Sequence, residues 1–455
     1  MEDLELIIRP EDYSLLTDLY QLTMAACYVG ESLDQSLASF ELSVRRLPKG
    51  FGYLIATGLA QALEYLENFR FSADQILALQ ATGIFDHAPE QFWTLLESDR
   101  FEGDVWAVPE GTAVFANEPL LRVEAPLWRA QLVETYLLNV INYQTLVATR
   151  AARMRDVAGE EATLLEFGTR RAFSPQGAIW AVRAALAGGL DATSNVLAAL
   201  KLERKPTGTM AHSLVMALSA MYKVHPEGNE GTESQAFTAF HRYFPGAPLL
   251  IDTYDTIAAA ESLSKQLQAG EIQLAGVRID SGDLLDLSKK VRSLLPGVSI
   301  FASGDLDEYR IADLKANGAC IDGYGLGTQL VTGAPVNGVY KLVEIDGIPV
   351  MKEATGKVTY PGRKQIFRQA GVGDRLGLIT EDPQGEMPLL QLVFKQGQRI
   401  SEPETIAQIR DRTTANVQSL PESARQLENP VSFPVELSQA LSELTDRTRH
   451  RSQSA

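Results

Sequence analysis

Between Thr163 and Tyr324 the chain alternates short apolar runs with segments of helical period, and this alternation leaves few folds open. The runs are Thr163-Leu-Leu-Glu-Phe167, Pro248-Leu-Leu-Ile251, Leu274-Ala-Gly-Val-Arg-Ile279, Val298-Ser-Ile-Phe-Ala302 and Cys320-Ile-Asp-Gly-Tyr324. Helical patterns lie between them, near 175–188, 212–222, 255–268, 283–294 and 307–317. A βαβα order of this kind predicts a parallel sheet covered by helices. Every run ends in a polar loop. Phe167 is followed by Gly-Thr-Arg-Arg171, Ile251 by Asp-Thr-Tyr-Asp255, Ile279 by Asp-Ser-Gly-Asp283, Ala302 by Ser-Gly-Asp305, and Tyr324 by Gly-Leu-Gly-Thr328. In a closed parallel barrel such loops meet at the C-terminal face, where active sites of that architecture lie. An open doubly wound sheet would spread them along an edge, and no dinucleotide fingerprint accompanies them, so the pattern favours a (β/α) barrel.

The flanking segments read as an α/β accessory domain built from both ends of the chain. Leu15 to Met24 reads as a helix capped by Thr17, with Leu19, Leu22 and Ala26 on one apolar face. Ala38 to Val44 alternates like a half-buried strand, and the loop Arg45-Arg-Leu-Pro-Lys-Gly-Phe-Gly52 after it is basic and turn-rich. Phe101 to Val123 suggests a small antiparallel sheet. From Pro126 a long helix runs from Leu127 to about Val157. Beyond Gly333 the alternation stops: Val336 to Met351 reads as a hairpin turning at Asp346-Gly347, and Thr359–Arg368 and Leu389–Phe394 add strands that rejoin the N-terminal sheet. The expected organisation is therefore 1–125 for the N-terminal part of the accessory domain, 126–335 for the barrel, 336–446 for the completing strands and 447–455 for a frayed tail.

Composition narrows the partners. Forty-one basic residues against 58 acidic ones leave a net charge of −17, which would repel a nucleic-acid backbone over most of the surface. A small anionic substrate would need a local basic pocket. The two cysteines, Cys27 and Cys320, are too few for a disulfide framework or a thiolate metal site and fit a reducing compartment. The acidic Met-Glu-Asp-Leu-Glu start does not resemble a signal peptide, and no apolar run approaches the roughly 18 residues of a membrane span, so the expected address is the cytoplasm.

The strand-end loops carry the chemistry. Asp252, Asp255, Asp280, Asp283 and Asp305 can bind a ribose diol, hold Mg²⁺ through water, or cap the next helix, capping being the common role of an Asp just before a helix. Arg278, two residues before Asp280 on a strand, shares its face and brings a guanidinium to the carboxylates. Ser303-Gly304 and Gly325-Leu-Gly327-Thr328 sit where backbone N–H groups can converge on a phosphate, with Arg170 and Arg171 available for charge-assisted contacts. Phe167 and Tyr20 can stack on a flat ring. His212 lies between a Gly-Thr turn and a helical pattern; His87, His225, His241 and His450 belong to no such motif. The Walker lysine motif, His-Glu-x-x-His and paired Cys-x-x-Cys are absent, which disfavours a P-loop ATPase or a zinc enzyme.

As a set, in this order, Leu16-Thr-Asp-Leu-Tyr-Gln21, Glu166-Phe-Gly-Thr-Arg-Arg171, Gly188-Gly-Leu-Asp-Ala-Thr-Ser-Asn195, Gly208-Thr-Met-Ala-His-Ser213, Ile251-Asp-Thr-Tyr-Asp255, Val277-Arg-Ile-Asp-Ser-Gly-Asp283 and Gly323-Tyr-Gly-Leu-Gly-Thr328 resemble the nicotinate phosphoribosyltransferases. The resemblance covers about residues 13 to 368. It implies a type II phosphoribosyltransferase: an irregular α/β barrel with an accessory domain, a homodimer with shared sites, and ATP hydrolysis coupled through phosphorylated His212. It further implies a pyridine ring on Phe167 with Tyr20 arriving from a partner subunit. Arg278 would face the nicotinate carboxylate, and Arg170 a phosphate of phosphoribosyl pyrophosphate. Asp252 and Asp280 would serve ribose and Mg²⁺; Thr209, Ser213 and Ser281 would touch substrate; Ser303, Gly304, Gly325, Gly327 and Thr328 would hold the 5′-phosphate. Two alternatives stay open, a nicotinamide or quinolinate enzyme on the same fold and a metabolite-binding protein without activity. Asp191, in the Gly-Gly-Leu-Asp stretch, is the residue that could favour an amide substrate.

Overall fold

The computed structural model describes residues 6–97, 100–224, 233–354 and 357–453, so His225 and the last two residues of the tail lie outside the described residues. The chain divides into two compact units, Met1–Thr149 with Ala334–Ala455, and Arg150–Gly333.

In the second unit the alternation becomes one six-stranded sheet, ordered Ala192–Thr193, Thr163–Glu166, Gly323–Leu326, Ser299–Ala302, Gly276–Ile279, Leu249–Leu250. Every ladder in it is parallel. Buried parallel strands tolerate few polar residues, and Gly323–Leu326 is buried along its whole length. Helices Pro175–Ala187, His212–Val224, Thr256–Gln268, Leu284–Leu294 and Glu308–Ala316 follow the expected pattern. The last strand starts three residues later than its apolar run, because Asp322 stays outside the ladder and accepts the Ile300 N–H at 2.7 Å. Barrel closure would require pairing between Ala192–Thr193 and Leu249–Leu250, and no such ladder is present among the described residues. A peptide segment joins the two sides instead. The Thr207 N–H donates to the Thr193 carbonyl at 2.8 Å, and the Met210 carbonyl accepts from Arg278 Nη2 at 3.1 Å. Two distant strands are thereby tied to one stretch of chain, just before His212.

The first unit interleaves the two ends of the chain. Its seven-stranded sheet has Leu37–Val44 antiparallel to both Gly338–Ile345 and Pro119–Pro126, and Gln391–Lys395 antiparallel to Asp104–Ala107. Strand Lys364–Gln369 does not rejoin this sheet; it pairs with Gly373–Leu378 in a separate four-stranded sheet. Among the links between them is a buried ion pair, Lys364 with Glu41 at 2.9 Å. Nearby, Arg368 pairs with Asp374 at 2.5 Å, and the fully buried Glu118 faces Asp374. Burial first, and then the Asp374 charge, push the Glu118 pKa well above the ordinary value.

Three boundaries differ from expectation. The N-terminal helix is Leu19–Gly30 with Asp18 at its cap, while the Thr17 hydroxyl donates to Thr135 Oγ1 at 3.4 Å. The long helix is two, Leu127–Leu132 and Glu134–Ala158, and most of it belongs to the first unit rather than to a domain starting at 126. The reason is a pair of threonines one helical turn apart: Thr149 Oγ1 accepts the Ile55 N–H at 2.8 Å and Thr145 Oγ1 the Thr57 N–H at 3.3 Å. The expected frayed tail is helical to Gln453, in Gln439–Gln453, whose Thr445 and Leu441 are buried.

Candidate active site

The C-terminal ends of the six strands carry a chain of contacts that runs from loop to loop. Asp252, after Leu249–Leu250, accepts the Asp280 N–H at 2.9 Å and the Ser281 hydroxyl at 2.6 Å on the same oxygen, Oδ2. Its other oxygen, Oδ1, is buried with no hydrogen-bond partner among the described residues. Asp280, after Gly276–Ile279, accepts the Ser303 hydroxyl at 2.5 Å. Gly304 follows with φ +99°, and a Cβ there would stand 2.2 Å from the Asp280 carbonyl oxygen, so this loop closes against its neighbour only with glycine.

Glycine also shapes the next strand. A Cβ on Gly325 would lie 2.6 Å from the Phe167 ring and 3.1 Å from Ser303 Cβ. One layer below, a Cβ on Gly323 would lie 2.6 Å from the Phe301 ring. These two positions give up side chains so that aromatic rings can occupy the space beside them. Phe167 is half-buried and its N–H is fixed to the Leu326 carbonyl at 2.7 Å. The Arg278 guanidinium carbon sits 5.9 Å from the Phe167 ring centroid. Its Nε is buried and has no hydrogen-bond partner among the described residues. Burial lowers the Arg278 pKa, Asp280 and Asp252 raise it, and Arg170 lowers it, which sets all four charges around one spot.

His212 opens the helix His212–Val224, and its Nδ1 lies 3.1 Å from Thr253 Oγ1, the residue after Asp252. Thr209 and Ser213 flank it. Thr209 Oγ1 donates to the Met210 carbonyl at 3.2 Å, and Ser213 is exposed. Gly327 precedes the short helix Thr328–Val331. Tyr20 belongs to the first unit, 47% exposed on Leu19–Gly30.

Family models and known proteins match most of the chain. The N-terminal domain model of nicotinate phosphoribosyltransferase matches residues 15–142, the nicotinate phosphoribosyltransferase family model 162–299, and the C-terminal domain model 379–445. A nicotinate phosphoribosyltransferase of Mycobacterium tuberculosis is 41% identical over 460 residues, covering 97% of this chain and 95% of that protein. One from Bacillus subtilis is 38% identical, covering 96% and 95%. The solved structure of human nicotinic acid phosphoribosyltransferase superposes with a TM-score of 0.81 at 31% identity, covering 95% of this chain and 99% of that one. The chain belongs to the nicotinate phosphoribosyltransferase family.

For a nicotinate phosphoribosyltransferase, the structure decides among the alternatives that three residues left open. Asp255 and Asp283 are helix caps: Asp255 Oδ1 accepts from the Ile257 and Ala258 N–H groups, both at 2.9 Å, and Asp283 Oδ1 from Leu285 and Asp286 at 3.1 and 3.2 Å. Asp191 faces no ring slot. It accepts from Arg155 Nη2 at 2.6 Å and from the Leu164 N–H at 2.7 Å, at the start of its neighbouring strand, the end opposite Phe167. Two contributors escaped the sequence. Glu166 is buried, accepts from Thr193 Oγ1 at 2.5 Å and from the Gly168 N–H, and so locks the turn that presents Phe167. Burial raises its pKa against those two hydrogen bonds. A lone acid inside the apolar run Thr163–Phe167 was the available signal. The other is Thr253, whose Oγ1 lies 3.1 Å from His212 Nδ1 across 41 positions of sequence.

Proposed function

We propose that this chain joins nicotinate to phosphoribosyl pyrophosphate, forming nicotinate mononucleotide and pyrophosphate, the first step of NAD synthesis from nicotinate, with ATP hydrolysis coupled through phosphorylation of His212. The observation that carries the choice of ring substrate is Arg278 over Phe167, a flat apolar face with a half-buried cation whose Nε has no hydrogen-bond partner among the described residues. That pairing suits a planar ring bearing one carboxylate. Nicotinamide carries no carboxylate for the cation to pair with. The Asp191 carboxylate, the feature that could have favoured an amide, is engaged by Arg155.

Bond cleavage at C1′ builds positive charge on the ribose and negative charge on the leaving pyrophosphate. Asp252 and Asp280 supply negative charge beside the ribose, and Arg170 faces the pyrophosphate. Both carboxylates also fit Mg²⁺: Asp252 Oδ1 is a buried acceptor without a donor among the described residues, and Mg²⁺ typically binds through one or two carboxylates, waters and substrate phosphates. Bound there through water, it would neutralise pyrophosphate charge. Ser303, Gly304, Gly325, Gly327 and Thr328 would cradle the 5′-phosphate, and Thr209, Ser213 and Ser281 would line the substrate channel. Family resemblance assigns Tyr20 of a second copy to the ring, hence a homodimer, and a cytoplasmic enzyme; no helix among the described residues is long and apolar enough to cross a membrane.

The test is a nucleotide-product assay with nicotinate and nicotinamide, each with and without ATP. Nicotinate mononucleotide formation stimulated by ATP is expected. Preference for nicotinamide, or phosphoribosyl pyrophosphate binding without product, would overturn the reading.

A further inference from the structure

Thr193 stands where two lines of contact meet, and together they close a circuit around the ring slot. The first leads to the aromatic face. Glu166 and Thr193 are paired residues in the parallel ladder, so their side chains lie on one side of the sheet. Thr193 Oγ1 donates to Glu166 Oε2 at 2.5 Å, and the other Glu166 oxygen accepts the Gly168 N–H, so the carboxylate reaches across Phe167 and holds it in its turn. The second line leads to the cation. The Thr193 carbonyl accepts the Thr207 N–H at 2.8 Å, and further along that segment the Met210 carbonyl accepts from Arg278 Nη2 at 3.1 Å. Arg278 returns to the start, 5.9 Å from the Phe167 ring centroid.

We propose that Thr193 is a specificity-determining positioning residue for the ring substrate. Through Glu166 it sets the plane of Phe167, and through Thr207 and Met210 it sets the Arg278 guanidinium against that plane. This deepens the reading of the slot as a nicotinate site and rests on it. A pyridine carboxylate is planar, with its ring and its charged group at a fixed separation. A slot for it depends on the offset between stacking face and cation as much as on either alone. The guanidinium is clamped at Nη2 by Met210, while its Nε has no hydrogen-bond partner among the described residues.

The Thr193 hydroxyl is the part of the circuit that a substitution can remove cleanly. The Asn195 N–H donates to Thr193 Oγ1 at 2.9 Å, and the oxygen turns its own single proton to Glu166. Both side chains are buried, so without the hydroxyl one carboxylate oxygen is left away from bulk water, and the turn must move to regain a donor. Phe167 then moves while Arg278 stays with Met210. An error in that offset falls on the substrate that uses both.

Steady-state kinetics of the full chain test the assignment. Thr193→Val keeps the shape of the side chain and should raise the nicotinate KM about 10-fold while the KM for phosphoribosyl pyrophosphate stays within about 2-fold. The preference for nicotinate over nicotinamide should narrow, and Thr193→Ser, which keeps the hydroxyl, should restore both. A residue that only stabilised the fold would lower the melting temperature and leave both KM values alone. Glu166→Gln, with one accepting oxygen left, is read alongside in case Thr193→Val does not fold, and should move the nicotinate KM the same way. Added to Arg278→Gln, Thr193→Val should cost less than it does alone, since both act on one carboxylate contact. A native nicotinate KM in either folded variant, equal shifts for both substrates, or full additivity with Arg278→Gln would overturn the assignment. If the native chain forms no nicotinate mononucleotide, the reading of the slot itself falls; product formation with unmoved KM values strikes only the role of Thr193.

Discussion

Replacing Gly325 with alanine isolates the ring slot from the rest of the molecule. Gly325 has no positive φ, so the backbone accepts alanine, and the conflict is confined to side chains. The new Cβ would lie 2.6 Å from two Phe167 ring carbons and 3.1 Å from Ser303 Cβ. Carbon atoms rest at roughly 3.5–4.0 Å, so the ring must retreat by about 1 Å. Overpacking of this kind typically costs about 1–3 kcal/mol of stability. Stacking on an aromatic face is worth about 0.5–1.5 kcal/mol beyond area burial, so its loss should raise the KM for nicotinate roughly 2- to 12-fold. The control is Gly323→Ala, where a 2.6 Å conflict falls on Phe301, one layer deeper, and the Thr163 carbonyl oxygen stands 2.8 Å away. That variant should lose at least as much stability and leave the nicotinate KM near native. Steady-state kinetics with varied nicotinate, together with thermal melts of both variants, would check this. If Gly325→Ala binds nicotinate as the native chain does, or if the two variants shift KM equally, the assignment of Phe167 to the ring is wrong.

Arg278→Gln should cut kcat/KM for nicotinate about 30-fold, from roughly 2 kcal/mol for a charged hydrogen bond, while nicotinamide changes less; an unchanged ratio in competition would count against the carboxylate role. In Asp252→Asn the amide oxygen can still accept from Asp280 and Ser281 while the second oxygen, Oδ1, is lost, so melting should be near native and turnover at least about 10²-fold lower, with a raised Mg²⁺ requirement. Native Mg²⁺ dependence would exclude a cation at this carboxylate. Glu118 concerns stability alone. Its folded pKa lies well above 4.5, so the folded chain holds a proton that the unfolded chain has released, and stability falls as pH rises from about 4.5 through the folded value. Glu118→Gln, a copy of the protonated form, should therefore gain on the native chain at pH 8 and match it near pH 4; parallel denaturation curves at both pH values would refute this.

The second unit was legible because its strands are buried apolar runs and its helices keep a 3.6-residue period, with Asp255 and Asp283 marking helix starts. The two-residue strand Ala192–Thr193 was not, since a strand that short has no period to read. The domain boundary was missed because helical pattern identifies an apolar face but not what packs on it, and here Thr145 and Thr149 served backbone groups of the first unit. At the site, residues adjacent in sequence to a loop motif, such as Arg278 with Asp280, could be paired by strand geometry. Thr253 and His212 could not, because 41 positions separate them and only the fold brings them together.

The hydrogen bonds from Asp252 to Asp280 to Ser303, and the contacts from Gly325 to Phe167 to Glu166, have a consequence for anyone re-engineering this enzyme. No loop of the rim has freedom of its own, because each takes its position from the next. Coupling energies between substitutions in different loops should therefore be large and non-additive, and a changed ring preference will come from loops varied together, with single-site libraries reporting mostly losses.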